Sequence, residues 1–246
     1  FLYFFSFQGL ILYLITLVFV KSLHELGHAF VSKYFGCRVS SIGIAFLVFF
    51  PFLYTDTSDA WRLRDHKDRL LINFAGILTE LHLALISTFL WAILPDGGLK
   101  SVAFFIATTS WISSLAINVS PFMRFDGYYV FSDWLKAENL QPRSFALARW
   151  QLREILFGFN HPPPEDLNPT RRWTFISYAW LTWVYRFFIF LGIALLVYHL
   201  AFKTLGIILF VIEIYWFILR PIITETKNWY NLKSEIKLNY KTKRLF

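Results

Sequence analysis

The chain has 246 residues; 57% are apolar, 21% aromatic and only 16% charged, against roughly 25% charged in an average soluble domain. With a mean hydropathy of +0.50, this composition excludes disorder and an ordinary water-soluble enzyme, and it reads as an integral membrane protein. The net charge of +8 could suit nucleic acid or anionic lipid, but in a membrane chain its usual origin is a Lys/Arg-rich cytoplasmic face. The single cysteine, Cys37, excludes an intrachain disulfide. The chain opens on Phe1 and its one Met is Met123, so a native start upstream of Phe1 is expected.

A bilayer core about 30 Å thick needs about 20 apolar residues in a helix. The sequence predicts five spans: Leu10 to Val31, Leu70 to Leu94, Val102 to Val119, Trp173 to Leu200 and Leu205 to Leu219. Pro95-Asp96-Gly97-Gly98 stops the second, Pro121 the third and Arg220-Pro221 the fifth. Between the first two spans, Arg38 to Thr55 is rich in β-branched and aromatic residues, Phe49 among them, and holds Gly43 and Pro51. It reads as strands, a hairpin lying on protein or beside a wet cavity rather than facing lipid. The fold class is therefore an all-α polytopic membrane protein of about five transmembrane helices, with a small membrane-associated β region after the first.

Four divisions follow. Residues 1–135 form the core and 136–172 an interfacial segment. Residues 173–222 hold two further spans, and 223–246 form a basic tail ending in Lys237 to Arg244. Tyr128 to Phe159 interleaves aromatics with Arg143, Arg149 and Arg153, as in helices lying on a lipid leaflet. No nucleic-acid-binding fold accompanies it, so no nucleic-acid partner is expected.

In the first span stands His24-Glu25-Leu26-Gly27-His28. Residues i and i+4 share one helix face, so His24 and His28 can grip one metal ion, with Glu25 beside them as general base for a water that the ion activates. Composition alone would produce on the order of 0.005 such matches in this chain. Polar groups inside an apolar helix are costly and usually functional. Two imidazoles plus a carboxylate suit Zn2+. Asp126 lies at compatible depth, just past the end of the third span at Asn118 to Pro121, and Gly127 is expected to free the backbone to turn there.

With these motifs the chain resembles the site-2 protease family of intramembrane zinc metalloproteases. That family pairs an intramembrane HExxH with a later Asn-x-x-Pro stretch ending in Asp-Gly, here His24 to His28 and Asn118 to Gly127. The resemblance implies that Asp126 is the third zinc ligand and Glu25 the catalytic acid/base. It also implies that Arg38 to Thr55 is the β region that can pair with an unwound substrate. Tyr54 to Arg62 and Phe125 to Tyr129 look closest to the bacterial peptide zinc metalloprotease subgroup, often associated with secretion adaptors of the hemolysin-D type. The chain departs from the family's Ala-Gly-Pro-x-x-Asn: it has Ala75-Gly76-Ile77-Leu78-Thr79-Glu80. Glu80 is thus either protonated by burial or engaged with Lys21, His82 or the metal site. With Asn118 and Gly127 it is a candidate for substrate or site support.

The expected function is a zinc-dependent endopeptidase cutting peptide bonds within or near the membrane. The expected substrate is a membrane-anchored protein or peptide. The alternative is a non-proteolytic, zinc-stabilised subunit of a peptide export or maturation complex. Six histidines with a single box fall short of a di-iron oxygenase. Arg186 and Glu213 reach similar depths in the last two spans, and the sequence predicts that they pair.

Basic residues set the orientation. Only Lys100 and Lys203 fall in the two loops on one side, Lys21 and Arg186 fall within spans, and the other 20 of the 24 share the opposite side. That face is then cytoplasmic, with the metal motif near it, and the resemblance to the bacterial subgroup implies a bacterial inner membrane. Cysteines placed at 95–100 and 199–204 should label from outside intact cells and those at 136–172 should not; the reverse pattern would overturn the orientation.

Overall fold

The computed structural model describes residues 7–47, 50–158, 161–200 and 202–231. Val48 and Phe49 of the expected hairpin, Phe159, and the basic run Lys237 to Arg244 lie outside the described residues. The chain divides into two compact units, Phe1–Glu138 and Asn139–Phe246.

The first unit begins with α1 (Phe7–Tyr34), then a hairpin of β1 (Ile42–Leu47) and β2 (Phe50–Thr55). The strands pair antiparallel from Ile42 with Thr55 to Leu47 with Phe50. Pro51 sits opposite Phe46, a position tolerated because a two-stranded sheet leaves each strand one free edge. A 3-10 turn, Ser58–Arg62, leads into α2 (His66–Ile93), and the Asp65 carboxylate caps α2 by accepting from Lys67 N. Next come α3 (Gly98–Trp111), a π-helical turn over Ile112–Asn118, and α4 (Asp126–Trp134). Helix α2 packs against α1, α3 and α4. Small residues let α1 and α2 approach closely. A Cβ on Gly27 would strike the Thr79 hydroxyl, and one on Gly76 would strike both motif imidazoles.

The second unit holds α5 (Leu140–Phe157), α6 (Pro169–Leu200), α7 (Lys203–Ile214), a π-helical turn over Tyr215–Leu219, and α8 (Arg220–Asn231). Helix α6 packs against α5 and α7.

Among the described residues, four helices are long and apolar enough to cross a membrane: Ile11–Tyr34, His66–Ile93, Pro169–His199 and Lys203–Tyr230. Helix α3 and its π turn cover the expected third span but are not among these four. One expectation fails outright. Arg220-Pro221 does not end the fifth span, because the helix runs on through α8. Proline removes a backbone donor and crowds the preceding turn. Here the π turn accommodates the misfit, and the freed Phe217 carbonyl accepts instead from the Trp183 indole N–H of α6, at 3.0 Å. The Arg186–Glu213 expectation fails as a hydrogen-bonded pair as well. Glu213 is buried, and neither of its carboxylate oxygens is hydrogen-bonded to Arg186.

Trp183→Phe should lower Tm, because an unsatisfied buried carbonyl costs about 1–3 kcal/mol. Adding Pro221→Ala, which restores an N–H to the kink, should recover part of that loss. Thermal unfolding of both variants in detergent checks this, and an unchanged Tm in Trp183→Phe would remove the indole from the kink.

Candidate metal centre

The centre is built where α1, α2 and the start of α4 meet. His24 and His28 are both buried on the α2-facing side of α1. Asp126 is the first residue of α4. His24 Nε2 lies 3.2 Å from His28 Nε2 and 2.9 Å from Asp126 Oδ2, and His28 Nε2 lies 3.3 Å from the same oxygen. Tetrahedral zinc with bonds of about 2.0–2.1 Å requires ligand atoms about 3.3 Å apart. The three atoms therefore form a triangle close to one face of such a tetrahedron. The group His24, His28 and Asp126 can hold a metal ion, and its nitrogen and oxygen donors suit zinc.

Each imidazole is oriented through its other nitrogen. His28 Nδ1–H donates to the Ile72 carbonyl of α2 at 2.8 Å, which leaves Nε2 as the free lone pair. His24 Nδ1 approaches Glu80 Oε1 at 3.1 Å, obliquely rather than in line. Burial of Asp126 works against its ionisation. Hydrogen bonds with His24 and His28 outweigh that and hold its carboxyl well below the usual carboxylate range.

Glu80 is fully buried and gathers four polar groups. Oε1 is 2.7 Å from Lys21 Nζ and accepts from Ser113 Oγ at 3.1 Å, beside His24; Oε2 accepts from Asn118 Nδ2 at 2.8 Å. Of the partners open to Glu80 in the sequence, Lys21 and the metal site are engaged. His82 is not: it is exposed and bonded to the Leu78 carbonyl at 2.7 Å. Ser113 and Asn118 are five residues apart, and in an α-helix they would face different ways. The wider π turn brings both to Glu80.

Gly127 corrects the sequence reading. Its φ is not in the left-handed region, which among the described glycines only Gly36 and Gly158 adopt. What requires glycine is proximity, since a Cβ at 127 would strike the Asn118 and Val119 carbonyls. Asn118 thus supports Glu80 through its side chain and lies against α4 through its backbone.

Glu25 lines a cleft of about 360 Å³ together with His28, Asp126, the Leu53–Thr55 end of β2 and the loop after it. Thr55 Oγ1 donates to the Glu25 carbonyl at 3.0 Å, which ties the strand to the motif. The floor of this cleft is a clamp that sequence reasoning missed. Asp133, buried on α4, accepts from Arg69 Nε at 2.9 Å and from Asn73 Nδ2 at 2.7 Å, both on α2. Arg69 also stacks over Trp61 at 4.7 Å. The available signal was spacing: Asp126 and Asp133 are seven apart, and Arg69 and Asn73 are four apart, so each pair shares a helix face. The clamp fixes α4, and with it the angle from which Asp126 enters.

Fold and site together define a helical membrane protein carrying a His–His–Asp cluster able to hold a metal ion. Residues 10–103 match the model of Peptidase family M50, the site-2 protease family read from the motifs. That match and the four apolar helices support an integral membrane protein and a metal-dependent intramembrane protease. No curated protein and no solved structure matches the chain.

Gly76→Ala should cut bound metal at least tenfold, because the two rings it strikes are held from behind by Ile72 and Glu80 and cannot both retreat. Glu80→Leu should weaken metal binding about 10–100-fold, the usual effect of losing a group that orients a ligand. Metal analysis of the purified variants tests both, and full occupancy in Gly76→Ala would show that the rings yield.

Proposed function

We propose that the protein is a zinc endopeptidase that hydrolyses peptide bonds within or near the membrane. The observation that carries this reading is the triangle of His24, His28 and Asp126 ligand atoms, of which His28 and Asp126 line the same cleft as Glu25. A zinc ion held by those three residues would polarise the scissile carbonyl and make an attacking water more acidic. Glu25 takes the proton from that water and returns it to the leaving amine. Glu80 and the Ile72 carbonyl keep the imidazoles aimed, so the ligands do not reorganise during turnover.

The substrate is a membrane-anchored protein or peptide whose helix unwinds locally, since a helical backbone hides its carbonyls. Strand β2 ends in the cleft beside Glu25, and the free edge of the hairpin offers main-chain pairing to the unwound segment. The likeness to the bacterial secretion-associated subgroup supports an inner-membrane protein with its site toward the cytoplasm, working beside an adaptor of the hemolysin-D type. The burial of Glu80 behind His24 fits catalysis, because its carboxylate serves the ligand and does not face the cleft. A non-proteolytic zinc-stabilised subunit would keep the same metal site without turnover.

Glu25→Gln should retain the metal and lose at least a thousandfold in cleavage of a membrane-peptide substrate, because an amide cannot accept and return the proton. Zinc analysis alongside a cleavage assay reads both. Equal turnover in the variant would remove Glu25 from the chemistry, and no turnover in either protein would favour the non-proteolytic subunit.

A further inference from the structure

The second unit carries a half-open cavity of about 650 Å³, within the range of small-molecule sites. It lies wholly among α5, α6, the second π turn and α8. Its walls are apolar and aromatic, with Phe145, Trp180, Trp183 and Phe217 among them. The π turn and Pro221 contribute Phe217, Ile218 and Pro221 to its wall, and the Trp183–Phe217 hydrogen bond spans that wall.

One end of the cavity is charged. Glu225 sits there with its side chain only 13% exposed, and Arg149 stands beside it, 53% exposed, with Nε 3.7 Å from Glu225 Oε1. That distance is an ion pair but not a hydrogen bond. Glu225 Oε2 is buried and has no hydrogen-bond partner among the described residues. A buried carboxylate oxygen requires a donor. This one faces a greasy cavity whose mouth carries an accessible guanidinium.

We infer that this cavity binds a phospholipid with a primary-amine headgroup, of the phosphatidylethanolamine type. An acyl chain fills the aromatic chamber. The phosphate meets the exposed face of Arg149, and the ammonium gives Glu225 Oε2 the N–H donor it lacks. The alternation of charge is what selects the headgroup. The phosphate–ammonium pair matches the Arg149–Glu225 pair, whereas a choline headgroup has no N–H to donate and a glycerol headgroup brings no positive charge to Glu225.

Native mass spectrometry of the purified full chain, exchanged into equimolar phosphatidylethanolamine, phosphatidylcholine and phosphatidylglycerol, tests this directly. The ethanolamine lipid should be retained at least fivefold over each of the others. Equal retention, or preference for the glycerol lipid, would overturn the proposal without any variant being needed. Glu225→Gln should bring ethanolamine-lipid retention down to that of the choline lipid while leaving the latter unchanged; an undiminished preference overturns it. Ala179→Trp, which fills the chamber, should abolish retention of all three, and normal retention there would place the lipid outside the cavity. Glycerophosphoethanolamine, which has the headgroup without chains, should not displace the lipid at millimolar concentration; displacement would mean that the chamber contributes nothing.

Discussion

The close contact between α1 and α2 at Gly27 and Gly76 is the constraint on which the metal centre rests. Two imidazoles on consecutive turns of one helix need room to converge on a point beside that helix. In a packed bundle the neighbour normally occupies that room. Gly76 vacates it by having no Cβ, so the edges of both rings lie against bare backbone. The same approach brings the Ile72 carbonyl within 2.8 Å of His28 and Glu80 within 3.1 Å of His24. Without the glycine, the rings, their orienting partners and the ligand triangle would all shift together.

A polar centre in an apolar bundle has to satisfy itself internally, since lipid offers no hydrogen bonds. Glu80 shows how this chain does so. A fully buried carboxylate is tolerable only when its lone pairs are filled and its charge is balanced. Lys21 supplies the charge, Ser113 and Asn118 supply donors, and His24 receives the benefit. The π turn is the structural cost of that arrangement. It trades regular α hydrogen bonding for the alignment of two side chains five residues apart. Where the related family is expected to carry asparagine, this chain carries a carboxylate and a matching lysine. The departure is therefore a compensated one.

The second unit solves a different problem with a similar device. Pro221 interrupts a membrane-spanning helix, a second π turn absorbs the misfit, and an indole from α6 satisfies the released carbonyl. In both units the departure from α geometry is paired with a specific side-chain partner, as expected where backbone groups cannot turn to water. The two outcomes differ: one π turn gathers polar side chains around a ligand, and the other lines an apolar chamber.

Periodicity and residue chemistry were enough to identify the membrane class, the helical spans, the hairpin after the first span and the His24–Glu25–His28 motif. These are local properties: a run of apolar residues has to leave water whatever it packs against, and an i, i+4 pair shares a face on any helix. Spacing alone also made Asp126 a candidate ligand, because the depth of a span end can be counted along the chain. What the sequence could not decide was direction around each helix axis. Arg186 and Glu213 match in depth and yet are not hydrogen-bonded to each other. Pro221 read as a stop, because nothing local announces that Trp183 on another helix will cap the carbonyl it exposes. Gly127 read as a flexible turn, because its true requirement, clearance from the Asn118 and Val119 carbonyls, exists only once α4 is folded back. The partners of Glu80 and the Arg69–Asp133–Asn73 clamp were undecided for the same reason. Which side chains meet across helices depends on how the helices are rotated and how closely they pack, and that is set by the tertiary structure alone.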